Sequence, residues 1–159
     1  MIDLPHPQRW MQPYDVNQVC RLRMTCRGAD TPVRLKGHLT VVYPVGSELV
    51  AYAQFRDNGA ALCLADIGVA PEYRMQRIAT QLVGPMIHVA RLAQRYCVFA
   101  DVPENNVVAQ IFLRKLKFRC TTTHHTDGGD LYRFIYPVTN PGPPQGMPIT
   151  SLDDLEKLT

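Results

Sequence analysis

The richest run of chemically useful residues is Asp66-Ile67-Gly68-Val69-Ala70-Pro71-Glu72-Tyr73-Arg74-Met75-Gln76-Arg77-Ile78-Ala79-Thr80-Gln81-Leu82. It begins apolar, passes through a short polar stretch and ends at helical spacing, so a buried strand turns directly into a helix. The first turn of a helix leaves four backbone amides unpaired, and such amides suit an anion such as a pyrophosphate. Arg74 and Arg77 bring positive charge to the same place. A plainer alternative is that Pro71-Glu72-Tyr73 merely starts the helix and the arginines form a solvated face. The residue types leave both open.

The elements that must position this run follow from hydrophobic period and turn residues. Arg9-Trp10-Met11 reads as a short strand, and Val16, Val19, Cys20 and Leu22 place a first helix at about 14 to 25. Residues 26 to 36, with Gly28, Asp30 and Pro32, read as a loop. Leu39 to Tyr43 and Leu49 to Phe55 form a hairpin around Gly46, and Asn58-Gly59 turns the chain into a nearly unbroken apolar strand, Ala60 to Val69. Such a strand belongs at the centre of a sheet.

Ile78, Leu82, Met86, Val89 and Ala93 describe a helix from about 77 to 94, which Pro85 should bend near its middle. Tyr96 to Val102 is the next strand, Asn106 to Lys117 a helix, and Phe118 to His124 and Leu131 to Pro137 a hairpin closed at Asp127-Gly128-Gly129-Asp130. The period therefore predicts an α/β domain over 1–138. A Pro/Gly-rich arm follows over 139–159, with Ser151 starting a short terminal helix.

Composition sets the outer bounds. With 159 residues, 46% hydrophobic and 19% charged, the chain fits one folded domain and lies far from the disordered regime. A formal charge of +3 suits an anionic ligand but is too small to argue nucleic-acid binding. Cys20, Cys26, Cys63, Cys97 and Cys120 form no CxxC pair and sit in apolar runs, so they read as reduced thiols, with no metal site implied. No run approaches the roughly 20 apolar residues of a membrane span, and Met1 to Gln12 has no signal-type apolar core. The expectation is a soluble cytoplasmic protein.

Two of these segments together resemble the GNAT N-acyltransferase superfamily. Its pyrophosphate loop, Arg/Gln-x-x-Gly-x-Gly/Ala after Val-x-Pro-Glu-Tyr, is similar to Arg74-Met75-Gln76-Arg77-Ile78-Ala79. Its second signature, Asn-x-x-Ala-x-x-Leu-Tyr-Glu-Lys-Leu-Gly-Phe, is similar to the run from Asn106 to Phe118, with Asn106, Ala109, Leu116 and Phe118 in step. The resemblance covers most of the chain and implies a mixed six- to seven-stranded sheet flanked by about four helices. It implies acetyl-CoA as cosubstrate, lying where the strand ending at Val69 parts from the strand of residues 96 to 102. Ile67, Gly68, Val69, Arg74, Met75, Gln76, Arg77, Ile78, Ala79, Thr80, Asn106, Ala109 and Leu113 would then hold it. A strand amide near Ile67 to Val69 would polarise the thioester. An amine acceptor, small molecule or protein, would attack directly.

The resemblance is nearest in motif to the ribosomal-protein alanine acetyltransferases, and it places Asp101 where their catalytic glutamate stands. Asp101 is then a general base, or else it caps the following loop. Tyr132, on the last strand, is the candidate proton donor, and Tyr136 lies on the same strand. Cys63 stands where other members place a strand glutamate or tyrosine. Three departures count against ordinary catalysis. Arg77 replaces a loop glycine, Lys117 replaces the glycine before Phe118, and Leu113 stands where many members have the tyrosine that protonates the coenzyme A thiolate. Two further readings therefore stand beside the enzyme: a catalytically inactive GNAT-fold interaction protein, such as a bacteriophage virion component assembling or oligomerising through its C-terminal arm, and an acyl-CoA sensor.

Overall fold

The computed structural model describes residues 7–27 and 36–138. The strands are β1 (Arg9–Trp10), β2 (His38–Val45), β3 (Glu48–Asp57), β4 (Ala61–Val69), β5 (Cys97–Pro103), β6 (Arg119–Thr126) and β7 (Gly129–Pro137). The α-helices are α1 (Val16–Arg27), α2 (Ile78–Leu92) and α3 (Val107–Lys115), with 3-10 turns at Pro13–Asp15 and Pro71–Tyr73. All strands join one sheet in the order β1-β2-β3-β4-β5-β7-β6. The β4–β5 pair is parallel and the β1–β2, β2–β3, β5–β7 and β6–β7 pairs are antiparallel. The apolar run at 60 to 69 is thus the central strand, as its lack of alternation requires.

Three α-helices occur among the described residues, against the expected four. The segment expected to start a terminal helix at Ser151, and the whole arm after Val138, lie outside the described residues, as do 28–35 of the expected loop. The first helix runs on to Arg27, two residues beyond its expected end. Helix α2 is continuous through Pro85, although proline removes the bond its amide would give to the Gln81 carbonyl. The buried Leu82, Val83, Met86, Val89 and Ala90 hold it in place.

The chain divides into two compact units, Met1–Arg56 with Ala65–Met86, and Asp57–Leu64 with Ile87–Thr159. In the first, Val19 and Leu22 of α1 pack on Val42, Leu49 and Tyr52. Each such side chain contributes roughly 1.5–3 kcal/mol when fully buried. The start of α1 is fixed by Asp15, 1% exposed, which takes a bidentate pair from Arg9 and the amide of Gln12. In the second unit Ala60, Ala61, Cys63, Cys97 and Phe99 form a core flanked by Tyr96 and Ile135. Arg95 clamps the start of this unit with two bonds of 2.8 Å to Asp57.

Candidate active site

In the first unit, β4 ends at Val69, the 3-10 turn follows, and α2 starts at Ile78. The Arg74 amide closes the 3-10 turn on the Pro71 carbonyl, and the first bond into α2 runs from the Gln81 amide to the Arg77 carbonyl. Between them the amides of Met75 to Thr80 donate to no backbone oxygen among the described residues. Met75 and Arg77 have φ of +62° and +63°, the left-handed region in which successive amides turn toward one side and make a concave donor site. Arg77 thus adopts the backbone that the family's glycine permits, at a cost of about 1–2 kcal/mol for an L-residue.

The Arg77 side chain is exposed and pairs with nothing among the described residues, so within this unit it does not close over the amides. Arg74 turns back instead, and its Nε donates to the Val69 carbonyl at 3.1 Å. The Met75 side chain is 98% exposed. Gln76 reaches the Glu72 carbonyl, Ala79 is half-buried and Thr80 is exposed, whereas Ile78, 5% exposed, serves the core.

A side chain engages one of the three β4 amides expected to polarise a carbonyl. The Ile67 N–H donates to Asp66 Oδ1 at 3.0 Å. Gly68 has a packing duty: a Cβ there would meet the Tyr52 ring at 2.6 Å and Cys26 Sγ at 3.2 Å. The Val69 carbonyl accepts from Cys26 Sγ at 3.4 Å, which draws the end of α1 onto this strand.

The second unit carries the other expected residues. Asn106 caps α3, its Oδ1 accepting the Ala109 amide at 3.1 Å, so this half of the second signature is a helix start and its side-chain amide is what remains for a ligand. Leu113, 2% exposed, is a core residue, and an aliphatic side chain has no proton to give. Its carbonyl takes the Phe118 amide while Arg114 takes that of Lys117, with Lys117 at φ +71°. That double closure is a Schellman end, and it needs a left-handed residue where the family has glycine.

Asp101 is bound on both oxygens by Arg133, at 2.7 and 2.8 Å, the pair facing each other across β5 and β7. Arg133 also lies 4.7 Å from the Phe99 ring centroid. Tyr132 faces Val102, the next residue along β5, and the register has no bulge there. Successive residues of a strand point to opposite faces, so Asp101 and Tyr132 cannot meet the same reacting atoms from their own strands. The expected base and acid are therefore separated by the sheet. On the Tyr132 face Phe118 stacks tilted on Tyr136 at 5.5 Å, and Arg114 covers Phe134. His124, opposite Leu131, falls on the Asp101 face, and its buried Nε2 has no hydrogen-bond partner among the described residues. Only the strand register shows what His124 faces. His125 is the surface member, paired with Asp130 at 2.7 Å.

Residues 8–118 match the Acetyltransferase (GNAT) family, and the chain belongs to it. No curated protein matches the chain. Among solved structures it is similar to the ribosomal-protein-S18-alanine N-acetyltransferase of Escherichia coli, at 16% identity and TM-score 0.73, over 85% of this chain and 95% of that one. It is similar too to yncA, a putative acetyltransferase of Salmonella typhimurium with its cofactor acetyl-CoA, at 16% identity and TM-score 0.70, over 88% and 98% of the two chains. A third is Arabidopsis thaliana NAA60 in complex with a bisubstrate analogue, at 16% identity and TM-score 0.68, over 83% and 98%. The mixed seven-stranded sheet with three helices is the GNAT fold.

Proposed function

We propose that this chain is an N-acetyltransferase that moves the acetyl group of acetyl-CoA to an amine, on a small molecule or on a protein N-terminus or lysine. The observation that carries the reading is the unpaired amide run from Met75 to Thr80, shaped by left-handed Met75 and Arg77. These residues fit a diphosphate: the donors are preorganised, and the Arg77 guanidinium beside them has no competing carboxylate among the described residues. When bound, acetyl-CoA supplies the acetyl group as a thioester. The amine nitrogen forms the new C–N bond as the C–S bond breaks, the thiolate leaves with that electron pair, and the amine's proton passes to solvent or a base. Holding amine and thioester together supplies most of the acceleration such a site needs, so the lack of an acid at Leu113 slows the reaction without forbidding it.

Acetyl-CoA should raise the melting temperature by mass action, about 2.7 kcal/mol of stabilisation at a hundred times its dissociation constant. Thiol release with a panel of amines and peptides then measures transfer. An unchanged melting temperature at millimolar acetyl-CoA would overturn the proposal. The burial of Leu113 and the pairing of Asp101 favour one rival, a GNAT-fold protein that binds acetyl-CoA without transferring it. A melting shift with no thiol release from any amine supports that rival.

A further inference from the structure

Asp66 is the one charge in the central apolar strand, and the structure surrounds it. It is 6% exposed and accepts three hydrogen bonds, from Arg23 Nε at 2.8 Å and the Tyr52 hydroxyl at 2.9 Å on Oδ2 and from the Ile67 amide at 3.0 Å on Oδ1, while Arg27 forms an ion pair with Oδ1 at 2.6 Å. A carboxylate has about four acceptor positions, so these partners occupy most of what Asp66 offers. What it does is aim the two arginines.

The arginines are unequal. Arg23 is 19% exposed and has further contacts beyond Asp66, whereas Arg27 is 43% exposed and meets Asp66 through Nη2. No other carboxylate of the described residues pairs with Arg27. The cluster holds two guanidinium charges against one carboxylate, and α1 contains no acidic residue to offset the excess. Cys26, the preceding residue, touches Gly68 and the Val69 carbonyl, so Arg27 stands beside the strand end from which the donor loop departs.

We infer that Arg27, held by the buried Asp66, is a specificity-determining group that recognises a carboxylate on the amine acceptor. The inference rests on the proposed acetyl transfer. A guanidinium is fixed, always charged and forked, and one arm pinned to a buried anion leaves the other side preorganised for a second carboxylate. A neutral acceptor leaves the excess charge uncompensated, and a cationic one is repelled.

The test compares N-acetyl-L-glutamate with its uncharged diamide as product ligands, by titration of the full chain in the presence of coenzyme A. L-glutamate and its diamide are compared as acceptors by thiol release. The wild type should favour the carboxylates, and Arg27→Gln should weaken N-acetyl-L-glutamate roughly tenfold or more, with under about twofold change for the diamide. Arg27→Lys should recover only part of the loss. In turnover the effect should fall on KM for glutamate and leave kcat nearly unchanged. Because Asp66 keeps Arg23, the Tyr52 hydroxyl and the Ile67 amide, both variants should keep the wild-type melting temperature within a few degrees. The acetyl-CoA melting shift, measured in parallel, reports the proposed function by itself: its absence removes acetyl transfer. An intact shift with no preference for the carboxylate ligand, no binding of either ligand, or an equal loss of both in Arg27→Gln overturns the role of Arg27.

Discussion

Gly68 illustrates how one residue can be misread when only its neighbours in sequence are known. The motif makes it a backbone contact for a ligand, but the structure shows that it exists to admit Tyr52, whose ring lies 2.6 Å from where a Cβ would stand. Gly68→Ala should therefore displace that ring and loosen its 2.9 Å bond to Asp66, at a cost of about 1–3 kcal/mol. A urea titration measures the loss, and Gly68→Ala with wild-type stability would show that the ring can move freely. Asp101 poses the sharper question, since the same carboxylate is a candidate base and one half of a bidentate pair with Arg133. Asp101→Asn should lower stability by about 1 kcal/mol, the range of a partly exposed ion pair, because the amide keeps the shape but loses the charge. Thiol release by the same variant separates the roles: turnover within about threefold of wild type makes Asp101 a strand clamp, and a loss of 10²-fold or more makes it the base.

At the scale of elements, both longer-range helix ends close in the same unusual way. After α2 the Arg95 amide bonds the Ala90 carbonyl and the Gln94 amide that of Arg91, with Gln94 at φ +57°. After α3 the same pair of bonds closes on Leu113 and Arg114, with Lys117 at φ +71°. A non-glycine residue in that conformation costs about 1–2 kcal/mol, and glycine gives back roughly half of this through its greater freedom when unfolded. Gln94→Gly and Lys117→Gly should each stabilise the protein by about 0.5–1 kcal/mol, and the two should add, since they end different helices. Thermal melts of the single and double variants check this, and destabilisation by either would mean that its side chain makes packing contacts that outweigh the strain. Lys117 was legible as a departure from glycine; what the sequence did not show is that the conformation survives the substitution.

For the molecule as a whole, the strand and helix order was legible because apolar period and turn residues are local signals. The runs at 39–43, 49–55 and 60–69 became β2, β3 and β4, and Asn58-Gly59 marked the turn between the last two. The candidate site was legible only where the chemistry is in the backbone, as at Met75 to Ala79. Asp66 read as an interruption of a strand because its partners Arg23 and Arg27 lie about forty positions earlier, and the face shared by Asp101, Arg133 and His124 depends on strand register. Other ion pairs fix how stability should vary with pH. Arg9 holds Asp15, and Arg95 holds Asp57, below the usual carboxylate range. A depressed pKa contributes stability that is complete above the unfolded value near 4 and is lost as pH falls through the folded one. Burial acts in the other direction at the alkaline end. It pushes the Cys97 thiol from 9.0 up to about 11 and moves Tyr52, beside Asp66, well above its ordinary 10.0. The unfolded chain then loses these protons first, so their contribution is complete below about pH 8 and is lost as pH rises through the ordinary thiol and phenol values toward the folded ones. The free energy of unfolding should form a plateau between about pH 5 and 8 and fall on both sides, by as much as roughly 1.4 kcal/mol per pH unit for each group titrating. Tyr52→Phe should flatten the limb above pH 10 while leaving the acid limb in place. Urea titrations of both proteins across pH 3 to 11 decide it, and an alkaline limb unchanged in Tyr52→Phe would mean that Tyr52 does not carry that loss.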